Sequence, residues 1–211
     1  GNPELVQAQL AAFNKQVPLL YFMLVTNTVA LTVTHFNTAP AYLTLYIPSV
    51  LYAISLARVV RWWFSRNRRY SHEEAVGRLR STYRLTTILG ACFCAWSLSL
   101  FSYGDAYQQS HVAFYIANTV IGCIFCLMHL RAAALALTAI VLGPFTVFFG
   151  TSGNPVFTAL ALNVALVTVA MVFILLTYYR DFGALIQSQK ELTARQAETQ
   201  RLSDENHRLA N

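Results

Sequence analysis

The stretch from Val156 to Asn211 reads VFTALALNVALVTVAMVFILLTYYRDFGALIQSQKELTARQAETQRLSDENHRLAN, and its reading decides the fold. The first 24 residues, Val156 to Tyr179, are apolar and long enough for about 36 Å of helix, which crosses a bilayer. Arg180 and Asp181 mark the exit into water, and no Gly-Pro pair separates the span from the polar residues that follow. A span that continues into a polar, heptad-like helix has the shape of an output rod.

The heptads of that rod are half filled. Leu185, Leu192, Thr199 and Asn206 share one seam position, and Ser188, Arg195, Leu202 and Leu209 share the other. A stable coiled coil carries apolar residues at nearly all such positions, whereas here the middle is polar. The pattern predicts a weak parallel homodimer with Leu185, Leu192, Leu202, Asn206 and Leu209 in its seam, able to adopt two registers or pitches.

Working outward, 56% apolar and 11% charged residues and a mean hydropathy of +0.46 exclude an ordinary soluble domain. The apolar residues come in long blocks, which predict spans at about 17–36, 41–63, 85–102, 111–129, 132–150 and 156–179. Residues 1–16 read as an amphipathic surface segment, 17–179 as a transmembrane sensor domain, and 180–211 as a signalling linker. The fold class is therefore an all-α membrane protein, a six-helix bundle whose last helix becomes a coiled coil. Pro48 and Gly143-Pro144 are expected to kink the second and fifth spans. The basic stretch from Ser65 to Arg84 reads as a water-exposed loop, next to an aromatic belt at Trp62, Trp63 and Phe64, and Arg131 as the close of the fourth helix. With Gly1-Asn2 at its start and no cleavable apolar leader, the chain is read as a trimmed start without a signal peptide, targeted by its spans.

Charge sets the orientation. With both termini inside, all 15 basic residues fall on the cytoplasmic side, and Asp105 is the one charge outside. The net charge of +6 then belongs to topology and anionic lipid headgroups near Arg66, Arg68 and Arg69, with no nucleic acid implied.

Polar groups within spans are the functional candidates, because hydrocarbon offers them no partner. His111, Tyr115, Asn118, Gly122, Cys126 and His129 recur at steps of three and four and form one stripe on the fourth span. Thr28, Thr32 and His35 form a shorter stripe on the first, and His35 and His111 fall at the same outer depth. An outward-opening sensing pocket of His35, Trp96, Asp105, Tyr107, His111, Tyr115 and Asn118 follows, suited to a small-molecule or lipid-like ligand. The alternative is that these groups bond helix to helix and bind nothing. His35 and His111 could ligate haem or a transition metal, but no spacing compels it, and the cofactor is left unknown. Cys92, Cys94, Cys123 and Cys126 read as packing residues, since a C-x-C on a helix points its thiols about 200° apart.

No Walker loop, G-x-S-x-G, H-E-x-x-H or acid pair near a His is present, so these residues carry no enzyme. No inverted repeat points to a transporter, which leaves transduction as the leading class.

One segment carries a resemblance. QRLSDENHRLAN, from Gln200, resembles the linker that precedes the catalytic domain of GGDEF diguanylate cyclases. QVPLLY from Gln16, YGDAYQQSHVAFY from Tyr103 and VIGCIFCLMHLR from Val120 are similar to the membrane sensor regions of bacterial GGDEF proteins, many of which also carry an EAL phosphodiesterase domain. The resemblance implies a homodimeric sensor in a bacterial inner membrane whose output helices bring two GTP-bearing GGDEF subunits together to make cyclic di-GMP. The family's catalytic residues lie outside this chain. A histidine kinase or phosphodiesterase output, or a small transporter or channel, is the alternative.

Overall fold

A computed structural model describes residues 3–65 and 71–210, with side chains for all of these except 3–5, 72 and 203–210. Its helices are α1 (Pro3–His35), α2 (Ile47–Ser65), α3 (His72–Leu100), α4 (Ala106–Cys126), α5 (Arg131–Gly150) and α6 (Pro155–Ala210). A π-helical turn, Tyr42–Tyr46, leads into α2, and a 3-10 turn, Phe101–Tyr103, follows α3. Six helices are long and apolar enough to cross a membrane, and no strand occurs among the described residues. Phe22, Val33, Phe114, Val147, Val169 and Phe173 stand exposed on the outside of the bundle. Water would penalise such a surface, whereas hydrocarbon solvates it.

The bundle is organised around two antiparallel pairs, α1 on α4 and α5 on α6, with α3 packed against both pairs and α2 held mainly by α1. Phe145, Phe149, Leu31, Leu100, Val112 and Ile124 fill the centre. At one end Phe101, Phe148, Phe149 and Phe157 form a ring cluster with centroids 5.1–5.4 Å apart, which fixes the end of α3 against the turn between α5 and α6.

Three local expectations change. Residues 3–35 form one unbroken helix, so the amphipathic stretch continues directly into the first span. Much of the basic stretch expected as a loop is helical, because α3 begins at His72 behind a capping box. The Glu74 amide donates to Ser71 Oγ at 3.3 Å, and the Ser71 amide donates to Glu74 Oε2 at 3.1 Å. Glu73 and Glu74 in the first turn also suit the positive end of the helix dipole. Arg131 opens α5 and does not close α4, which ends at Cys126 in a turn closed by the Leu130 amide on the Leu127 carbonyl, 2.7 Å.

Pro48 acts through the turn before it. The Ile47 amide donates to the Tyr42 carbonyl, the wide bond of a π turn, so it is lost to Leu43. The next wide partner for the Leu43 carbonyl would be residue 48, and proline has no N–H. The indole of Trp96 supplies the missing donor, with Nε1 2.8 Å from that buried carbonyl. Pro144 lies inside α5, which continues through it from Arg131 to Gly150.

Candidate functional site

The polar stripe of α4 is laid against α1. Thr34 Oγ1 stands 2.9 Å from His111 Nδ1, the Tyr115 hydroxyl 3.1 Å from Thr28 Oγ1, and Asn118 Nδ2 3.5 Å from Asn27 Oδ1. Gly122 continues the seam, where an added Cβ would meet Met23 Cε at 2.9 Å. Thr28 donates to the Leu24 carbonyl at 2.6 Å, so its oxygen is free to accept from Tyr115. Much of the stripe is thus spent on helix pairing, which a bilayer rewards because unpaired polar groups have no water there.

His35 and His111 do meet at one depth, through Thr34 Oγ1, which is 3.1 Å from His35 Nδ1. A carbonyl only accepts, so the contact of His35 Nδ1 with the Leu31 carbonyl at 3.0 Å assigns the proton to Nδ1. Nε2 is then a buried acceptor without a partner. Gly104 lies against it, at a distance where an added Cβ would be 3.4 Å away, and this close packing does not fit an axial haem ligand. Among the described residues no three His, Cys, Asp or Glu side chains gather where they could hold a metal.

The other predicted site residues divide. Asp105 caps α4, accepting from the Tyr107 amide at 3.0 Å and the Gln108 amide at 2.9 Å. Gln108, a residue of the polar turn outside the predicted site, returns from that cap to donate to the Thr34 carbonyl at 2.6 Å. Tyr107 is 86% exposed. Trp96 is buried, edge to face with Tyr115 at 6.0 Å. Asn118 is exposed, one seam level below Tyr115. The structure therefore brings His35 with His111 and Trp96 with Tyr115, pairs Asn118 with Asn27 at an exposed level of the same seam, and leaves Tyr107 exposed.

A cavity of about 420 Å³ opens instead toward the end of the bundle where α2 finishes and α3 begins. It lies between those two helices, which make almost no backbone approach to each other, and is walled behind by α1, α4 and α5. Leu20, Leu24, Leu89, Phe93, Ile116, Val120 and Val141 give it an apolar interior, and Tyr115 reaches it from the seam. Its other end carries Arg58, Arg61, Arg78 and Glu74. Arg78 donates to Ser65 Oγ at 3.2 Å, joining α3 to the end of α2. Arg58 lies seven residues before the end of α2, about 10 Å of helix inside a span, and its Nε is buried without a hydrogen-bond partner. A buried donor left unmade costs about 1–3 kcal/mol, and more when charged. The sequence carries a signal for this residue, an arginine inside an apolar run, which charge counting alone absorbs into topology.

Cys94 and Cys123 also line the cavity, and all four cysteines are free. Cys92 is exposed while Cys94 is buried, as opposite directions on one helix require.

At the same basic end the bundle is tied to α6. Gln9 Nε2 donates to the Tyr179 hydroxyl at 2.9 Å and the Arg131 guanidinium lies 5.7 Å from the centre of the Tyr179 ring, while Trp62 Nε1 donates to the Asn14 carbonyl at 3.0 Å and joins α2 to α1. His129, in the turn between α4 and α5, packs edge to face on Tyr178 and Phe182. Burial lowers the pKa of its imidazole below the ordinary histidine value. Beyond this joint α6 stands alone: Leu185, Leu192 and Leu202 are all exposed. The side chains of Asn206 and Leu209, and Arg66, Arg68 and Arg69 entirely, lie outside the described residues. In comparisons with known proteins, no family model, no curated protein and no solved structure matches the chain.

Proposed function

We propose that the chain is the input module of a membrane signalling protein, in which α6 carries a conformational change from the bundle to a catalytic domain. The observation that supports this reading most is the single helix from Pro155 to Ala210, which joins a packed span to a solvated rod without a break. A polar helix that packs on nothing is marginal alone, and exposed Leu185, Leu192 and Leu202 favour a second copy as its partner. On this reading the protein is a homodimer with both termini cytoplasmic, in keeping with its one-sided arginines. The resemblance of QRLSDENHRLAN makes a GGDEF diguanylate cyclase the output, so the rod would set how two GTP-bearing subunits face each other.

The test is a fusion of residues 1–211 to a GGDEF catalytic domain, with helical insertions after Arg180 and cyclic di-GMP as the readout. Insertions of three or four residues shift the heptad phase and should change output, whereas seven restore it. Output indifferent to insertion length would sink the lever. Solute flux through the chain in liposomes would instead favour a transporter.

A further inference from the structure

We infer that the cavity between α2 and α3 binds a single-chain amphiphile with an anionic head, an alkyl chain ending in a carboxylate or phosphate, held by Arg58. This names the ligand of the input module proposed above and rests on that reading only for its consequence.

The charge calls for an anion. Arg58 Nε is buried and unpartnered, and Arg61 lines the same end of the cavity. Among the described residues of the lining the one carboxylate is Glu74, which accepts from the Ser71 amide in the capping box. Arg58 is half-buried with its Nε enclosed, and a charged head gives such a guanidinium paired, charge-assisted hydrogen bonds that a neutral headgroup cannot supply.

The interior calls for one chain. From Leu10 to Leu24 on α1 the wall extends over fourteen residues, about 21 Å, room for one extended alkyl chain laid along the helix. A volume of about 420 Å³ is at the small end of ligand pockets and accommodates one such chain and not the two of a phospholipid. The deep polar groups are already engaged: Ser97 donates to the Cys94 carbonyl at 2.9 Å and Tyr115 pairs with Thr28. The far end therefore asks nothing polar of its ligand. Since α2 and α3 scarcely approach each other, the chain can enter sideways from the leaflet.

The experiment uses the purified chain in nanodiscs of zwitterionic lipid, labelled with a diazirine analogue of myristate and mapped by mass spectrometry. Labelling should fall on cavity residues such as Leu89 and Phe93. Myristate or lysophosphatidate should compete, and whichever acts at the lower concentration identifies a free fatty acid or a lysolipid as the source. Myristyl alcohol and inorganic phosphate should not compete. Arg58→Gln should weaken labelling by about tenfold or more, and Arg58→Lys, which keeps the charge but loses the planar fork, should weaken it less than Arg58→Gln does. Competition by the alcohol equal to that by the acid, competition by phosphate alone, or labels mapping elsewhere would overturn the proposal. The comparison of acid with alcohol is read on the unaltered chain, so it decides the matter even if Arg58→Gln fails to fold. A GGDEF fusion that ignores bound myristate would remove the input reading and leave the binding site standing.

Discussion

The Tyr178 hydroxyl lies 3.3 Å from His129 Nε2, and the two rings meet edge to face with centroids 5.5 Å apart. The contact joins the turn after α4 to α6 near the place where α6 leaves the bundle. Burial lowers the His129 pKa, so the folded chain resists a proton that the unfolded chain accepts. Stability is then fully present above the ordinary histidine value of 6.5 and declines as pH falls below it. The thermal transition of the detergent-solubilised chain should drop between pH 7.5 and 5.5, and His129→Phe, which keeps a ring but cannot titrate, should flatten that decline. An equally steep decline in the variant would place the titration elsewhere.

Trp96→Phe tests the repair of the π turn. The ring would keep much of its packing, but the Leu43 carbonyl would lose its donor in a region without water, at a cost of about 1–3 kcal/mol. A lower melting temperature is expected. An unchanged one would mean that the carbonyl finds another partner.

Removal of residues 185–211 should weaken self-association, because this segment exposes Leu185, Leu192 and Leu202. Analytical ultracentrifugation in detergent reads the effect directly. A dimer of undiminished affinity would assign the interface to the spans.

Gly183 lies within α6 just beyond the joint, and an added Cβ there would meet nothing within 4 Å. Gly183→Ala should therefore strengthen the helix by up to about 1 kcal/mol without a clash. Slower amide exchange between Asp181 and Leu185 is the expected sign, and faster exchange would contradict it.

Much of the architecture was legible because hydrocarbon imposes a long apolar run on each crossing, and all six runs became helices. The approach of His35 to His111 was also legible, since both residues sit at the same depth on antiparallel spans. The capping box at Ser71 and Glu74 was written in the sequence but lay among arginines whose charge drew the reading toward a loop. The cavity was not legible, because five helices contribute its walls and no single stretch carries its pattern. Arg58 shows the difficulty: one residue serves two physical roles, and the topological role is the one that charge counting detects.

The π turn at Tyr42–Tyr46 also has an azimuthal consequence. A helix advances about 100° per residue, so the extra residue accommodated in that turn sets the direction of every side chain beyond it relative to the anchor at Leu43. Deleting one residue from the turn would swing Arg58 about a quarter of the way around its axis, away from the cavity it now lines. The facing of that arginine is thus fixed at the opposite end of its helix, by a proline that cannot donate and a tryptophan that can.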